Sequence, residues 1–109
     1  MMLNLLTFKE HADASHDGMT GREAVALYSN AMKEFVEQHG GSYVLAAYVD
    51  SQLIGEGGES FEFVGVMRYP SRQAFLTLAG DPEIASSIGR HREAGLESQW
   101  LFAMTGVAD

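Results

Sequence analysis

Between Phe61 and Phe75 the apolar positions recur first at every second residue and then at helical spacing. Phe61, Phe63, Met67 and Tyr69 fall on one face of an extended chain, with Gly65 among them, and Glu62, Val64, Val66 and Arg68 fall on the other. A period of two, rich in β-branched and aromatic residues, predicts a strand. Pro70 has no N–H and holds Tyr69 extended, so the strand ends there. Ser71 can cap a helix that carries Ala74, Phe75 and Leu78 on one side. Gly80 stops it, and Asp81-Pro82 opens a further helical stretch.

The same reading extends along the chain. Leu3 to Lys9 is a strand with Asn4, Leu6 and Phe8 on one face and Leu3, Leu5 and Thr7 on the other. Glu10 to Thr20 is polar and reads as an exposed loop. Gly21 to His39 is the long helix. Ala24, Leu27, Tyr28, Ala31 and Phe35 form its apolar stripe, widened by Met32 and Val36. Thr20 and Glu23 have the spacing of a capping box, and Gly40-Gly41 gives the stop. Tyr43 to Asp50 is the second strand, followed by a glycine-rich connection from Gln52 to Ser60. Pro82 to Glu97 is helical, broken near Gly89 or Gly95, and Gln99 to Thr105 is the last strand. The tail from Gly106 is loose.

Strand, helix, strand, strand, helix with a helical extension, strand is the α+β, ferredoxin-like order: one domain over residues 1–109, an antiparallel four-stranded sheet with helices on one face. The strands carry apolar residues on both faces. In the second, Tyr43, Leu45, Ala47 and Val49 alternate with Val44, Ala46 and Tyr48. Helices cover one face only, and soluble monomers avoid a large bare apolar patch. The expected cover is the same face of a second copy, giving a two-fold sheet-to-sheet homodimer.

Composition narrows the partners. The formal charge is −8 and the chain has no cysteine. A negative field repels phosphate backbones and anionic lipid, so neither nucleic acid nor membrane is an expected partner. The apolar run in MMLNLLTFKE is too short for a leader or a span, so a soluble, cytoplasmic protein is expected. Without cysteine there are no disulfides and no thiolate chemistry.

Candidate chemistry is sparse. His11 and His16 lie in the polar loop, read as solvated, and have no companion carboxylate at metal-helix spacing, so no metal site is expected. His39 sits where a helix C-terminus favours a cation. His91 follows Ile84 and Ile88 at helical spacing and so points with the apolar face. It is either a general base or ligand contact, or a core histidine bonded to a carbonyl. Tyr28 lies on the buried stripe, and Asn4 is an amide among apolar neighbours that needs a partner. Arg22, Arg68 and Arg92 pair with carboxylates or capture an oxygen. Gly55-Glu56-Gly57-Gly58 lacks the lysine of a phosphate loop.

Taken in order, Asn4-Leu5-Leu6 with Phe8-Lys9, Gly21-Arg22-Glu23-Ala24 with Tyr28, Gly40-Gly41, Arg68-Tyr69-Pro70-Ser71-Arg72 with Phe75, Asp81-Pro82-Glu83, and His91-Arg92-Glu93-Ala94 with Leu96 resemble the family catalogued as domain of unknown function 1330. The resemblance implies a dimeric α+β barrel. It also implies a pocket between sheet and helices near Asn4, Tyr28, Tyr69 and His91, with Arg22 and Arg92 at its rim. Phe61-Glu62-Phe63 stands where many relatives carry a tryptophan-acid pair. The wider superfamily includes cofactor-free monooxygenases, haem-handling proteins, lactone isomerases and polyketide cyclases. Two functions follow as expectations. One is an enzyme without metal or organic cofactor, with His91 moving a proton on a carbonyl or phenolic substrate held by Tyr28 and Asn4. The other is a non-catalytic dimeric protein that binds an apolar metabolite.

Overall fold

Four strands and three helices form from these patterns in the computed structural model, which describes residues 1–58, 60–82 and 84–107. The strands are β1 (Met2–Phe8), β2 (Ser42–Tyr48), β3 (Phe63–Arg68) and β4 (Leu96–Ala103). The helices are α1 (Gly21–Gln38), α2 (Arg72–Ala79) and α3 (Gly89–Gly95). All three strand pairings are antiparallel and the sheet order is β2-β3-β1-β4, the ferredoxin-like arrangement with the helices on one side. Glu59, Glu83, Ala108 and Asp109 lie outside the described residues, so part of the Asp81-Pro82-Glu83 motif and the end of the tail are not placed.

Local signals explain the boundaries. Thr20 and Glu23 form the capping box at the start of α1, with both reciprocal bonds made. Gly40 takes φ +86° just past its end. Ser71 Oγ accepts the Ala74 N–H and starts α2. A π-helical turn, Ile84–Ile88, precedes α3. A side chain on Gly89 would put its Cβ 2.6 Å from the Ile84 carbonyl oxygen, so glycine is what lets this wide turn close. The helical stretch ends at Gly95, earlier than its apolar pattern predicts, and β4 begins at once.

The core lies between the helices and one face of the sheet. Met32, Phe35 and Val36 of α1 pack with Met67 of β3, Leu78 of α2 and Ile88 of the π turn. A second cluster joins Leu6, Phe8 and Val25. Leu27 of the predicted stripe is partly exposed instead, at 39%. The strand register sets the faces, because residues directly opposite across an antiparallel pair share one. Met2, Asn4, Leu6 and Phe8 are buried under the helices. Opposite them are Met67, Gly65 and Phe63 on one side and Ala103, Leu101 and Gln99 on the other.

The second strand does not alternate as its sequence suggests. A bulge between Tyr43 and Leu45 leaves Val44 unpaired and shifts the phase. Tyr43, Ala46 and Tyr48 therefore face the helices, while Leu45 and Ala47 face away. The outer face gathers Leu3, Leu5, Leu45, Val64, Val66, Trp100 and Phe102 by register. Trp100, Leu45 and Phe102 are 54%, 50% and 47% exposed. The chain by itself leaves that apolar surface uncovered.

Candidate functional site

A cavity of about 370 Å³ opens between α1, α2, the π turn and the sheet. Its volume is that of a small-ligand pocket. Met32, Met67, Phe75, Leu78, Ile84 and Leu101 supply apolar wall. Asn4, Tyr28, Tyr69, Arg92 and Gln99 supply the polar groups. Four of the sequence candidates thus meet at one place, reached from β1, α1, the β3–α2 corner and α3.

The polar groups form a chain whose directions are fixed by chemistry. Arg92 Nε donates to Gln99 Oε1 at 2.7 Å, and Gln99 Nε2 donates to Asn4 Oδ1 at 2.7 Å. An arginine nitrogen can only donate, so Gln99 must present its oxygen to Arg92 and its NH₂ to Asn4. Asn4 must then accept through Oδ1, which leaves Nδ2 as its unused donor. Asn4 is only 7% exposed, and that NH₂ has no hydrogen-bond partner among the described residues. Gln99 was not among the sequence candidates. Its signal was its place in β4 on the same face as Leu101, where a polar residue under the helices stands out.

The tyrosines remain protonated donors at neutral pH. Burial pushes the Tyr28 hydroxyl above the ordinary tyrosine value, and the nearby Arg92 charge pulls it partway back. Tyr69 is pushed up to about 12 by burial, with the neighbouring Tyr28 hydroxyl adding to the rise. Tyr43 is raised for the same reasons, burial first, and its hydroxyl donates to the Ser29 carbonyl at 3.3 Å. Among the described residues the Tyr69 hydroxyl bonds only Met67 Sδ, at a long 3.7 Å.

Two candidates lie elsewhere. Arg22 sits 3.6 Å over the ring of Tyr48, beside a separate groove of about 340 Å³ between α1 and β2. Its charge is engaged by that ring. His91 does not line the cavity. Its Nδ1 is 2.6 Å from Nε2 of His16, whose Nδ1 is 2.9 Å from Ser15 Oγ. His16, expected to be solvated, is only 8% exposed. The cause is tertiary: a 3-10 turn, Ala14–His16, folds the loop onto α3, with Asp13 N–H donating to the Ala94 carbonyl. His11 stays exposed near Glu10, and His39 Nδ1 bonds the Phe35 carbonyl across the last turn of α1. Glu62, in the tryptophan-acid position, accepts the Phe8 N–H at the end of β1. No group of three or more His, Cys, Asp or Glu side chains that could hold a metal occurs among the described residues. Among those residues no helix is long and apolar enough to cross a membrane.

The histidine pair predicts a pH effect. Burial, then His16 and then Arg90, lower the pKa of His91 below its ordinary 6.5. The unfolded chain therefore takes up the proton more readily than the fold. The contribution is present above that ordinary value and is lost as pH falls through the folded one. Ser15 and Arg90 face the pair, and the Lys9–Asp13 ion pair holds the same loop. The urea midpoint is expected to drop between pH 7.5 and 5.5 by more in the wild type than in His91→Gln. Equal drops would show that the pair has no such role.

Together, fold and site define a ferredoxin-like α+β protein with a donor-lined cavity between its layers. No family model matches the chain and no curated protein matches it. Among solved structures it is similar to the RPA0582 protein of Rhodopseudomonas palustris, a protein of unknown function. The identity is 30%, over 99% of this chain and 82% of that one, with a TM-score of 0.83. Methylated RPA0582 protein gives 29% identity, the same coverage and a TM-score of 0.80. The chain belongs to the family of that protein.

Proposed function

We propose that this chain is a homodimeric member of the family catalogued as domain of unknown function 1330, joined through its outer sheet face. In each protomer the cavity between helices and sheet binds a small, largely apolar molecule. The observation that carries this reading is the Asn4 amide at the cavity wall: its NH₂ has no hydrogen-bond partner among the described residues and keeps accessible surface, so it is a donor that a ligand or water can meet. Binding without turnover is the better supported form. The tyrosine hydroxyls hold their protons at neutral pH, and His91 lies outside the cavity. The enzymatic form, cofactor-free proton transfer on a carbonyl or phenolic compound, would rest on Tyr28 beside Arg92. The net charge of −8 argues against nucleic acid or an anionic membrane as partner.

Ala79 lines the cavity and is exposed, so a large side chain there fills the mouth without entering the core. Ala79→Trp is expected to weaken binding of an uncharged probe, 3-phenylpropan-1-ol, by roughly ten-fold or more, since displacing a few buried methylenes suffices. Its sedimentation mass should stay that of the wild type. Unchanged affinity in Ala79→Trp would place the binding site elsewhere.

A further inference from the structure

We infer that the cavity selects a monoanionic carboxylate, the acid group of an apolar organic acid, held by Arg92 and the unused NH₂ of Asn4; this rests on the pocket reading above. The argument is the direction of the hydrogen-bond chain. Arg92 Nε is used on Gln99, and its two terminal nitrogens have no hydrogen-bond or ion-pair partner among the described residues. Gln99 relays that constraint to Asn4, so the amide cannot turn and offer its oxygen without losing the Gln99 bond. Tyr28 adds a hydroxyl without a hydrogen-bond partner among the described residues and close enough to feel the Arg92 charge. The cavity thus offers a cation and fixed neutral donors, and a carboxylate accepts from several donors at once. An alcohol, amine or amide oxygen meets fewer of them. Glu93 also lines the cavity, but its side chain is exposed and its charge is screened by solvent. The apolar wall of Met32, Met67 and Phe75 fits a hydrocarbon or aryl body behind the acid group.

Gln99→Glu tests the relay itself. A carboxylate at position 99 still accepts from Arg92 but cannot donate to Asn4 Oδ1. It neutralises the cation, and it turns the Asn4 amide so that an acceptor faces the ligand. The probes are hexanoate, octanoate and 3-phenylpropanoate, each beside its alcohol and methyl ester. The readout is the methyl resonances of Met32 and Met67, with Met19 and Met104 as internal controls. Wild type should bind each acid roughly ten- to hundred-fold more tightly than its alcohol, as expected for charge-assisted bonds. Gln99→Glu should lose that preference, binding each acid no more tightly than its alcohol. Gln99→Met, which keeps the Arg92 charge but frees the amide, should fall between. Equal affinity for acids and alcohols in the wild type would overturn the inference and leave the pocket reading standing. Met32 and Met67 methyls that move with none of the probes would overturn both.

Discussion

Gly21→Ala and Gly95→Ala are each expected to destabilise the fold by about 3 kcal/mol or more, because the Cβ that each adds runs into a backbone carbonyl. The N-terminus of α1 meets the C-terminus of α3 at these two glycines. A Cβ on Gly95 would overlap the Gly21 carbonyl oxygen and stand 2.8 Å from Ala24 Cβ. A Cβ on Gly21 would overlap the Lys9 carbonyl oxygen and stand 2.7 Å from the Gly95 one. Neither neighbour can rotate away. The Lys9 N–H donates to Gly95 O at 2.8 Å, tying β1 to the same point. A domain of this size has only about 5–15 kcal/mol in hand, so the loss is a large fraction. Gly18→Ala is the control. Gly18 has φ +82° but nothing within 4 Å of its would-be Cβ, so only about 1 kcal/mol of backbone strain is expected. Urea titration of the three variants measures the difference, and equal midpoints for Gly95→Ala and Gly18→Ala would show that the helix ends are looser than described.

Leu5→Glu combined with Trp100→Glu is expected to turn the proposed dimer into a monomer. The two residues are direct cross-strand partners on the outer face, β1 against β4. Sheets that pack face to face bury such positions completely, and a stable interface needs roughly 1,200–2,000 Å² removed from water. Two carboxylates placed there must shed their hydration with no opposite charge to meet, and symmetry doubles their number. The cost is several kcal/mol, enough to shift the dimer midpoint by a thousand-fold or more on the order-of-magnitude scale. Leu53→Glu and Ile54→Glu change equally apolar residues that are almost fully exposed in the β2–β3 connection, and should leave the mass unchanged. Sedimentation velocity at several concentrations separates these cases. A wild-type protein of 11.9 kDa mass at every concentration would mean that the outer face is covered in some other way.

Most of the fold was legible in the sequence because its signals are local. Pro70-Ser71, the Thr20–Glu23 box and the alternation through Phe61–Tyr69 each act over a few residues. The same patterns put Asn4 on the buried face of β1 and Tyr28 on the stripe of α1, while Tyr69 was tied to a pocket only through the family resemblance. What sequence periodicity misplaced has identifiable causes. The π turn at Ile84–Ile88 holds about one more residue than an α turn. It rotates everything after it, so Arg92 joins Ile84 at the cavity while His91 turns to His16. The bulge at Val44 reverses the faces of β2 in the same way. His16 was hidden because its burial depends on where a polar loop lands, which no local pattern records. Gln99 sat at the predicted edge of a strand, and its role appears only when Arg92 and Asn4 are brought to either side of it.

The central claim, a dimer joined at the outer face with an acid-binding cavity on the inner one, is tested most directly by a crystal structure of the protein grown with 3-phenylpropanoate. The predicted result is two protomers packed sheet to sheet, each with the carboxylate on Arg92 and Asn4 Nδ2 and the phenyl ring against Met32 and Met67. An outer face left in solvent, or the acid bound away from Arg92 with the cavity closed by side chains, would contradict it.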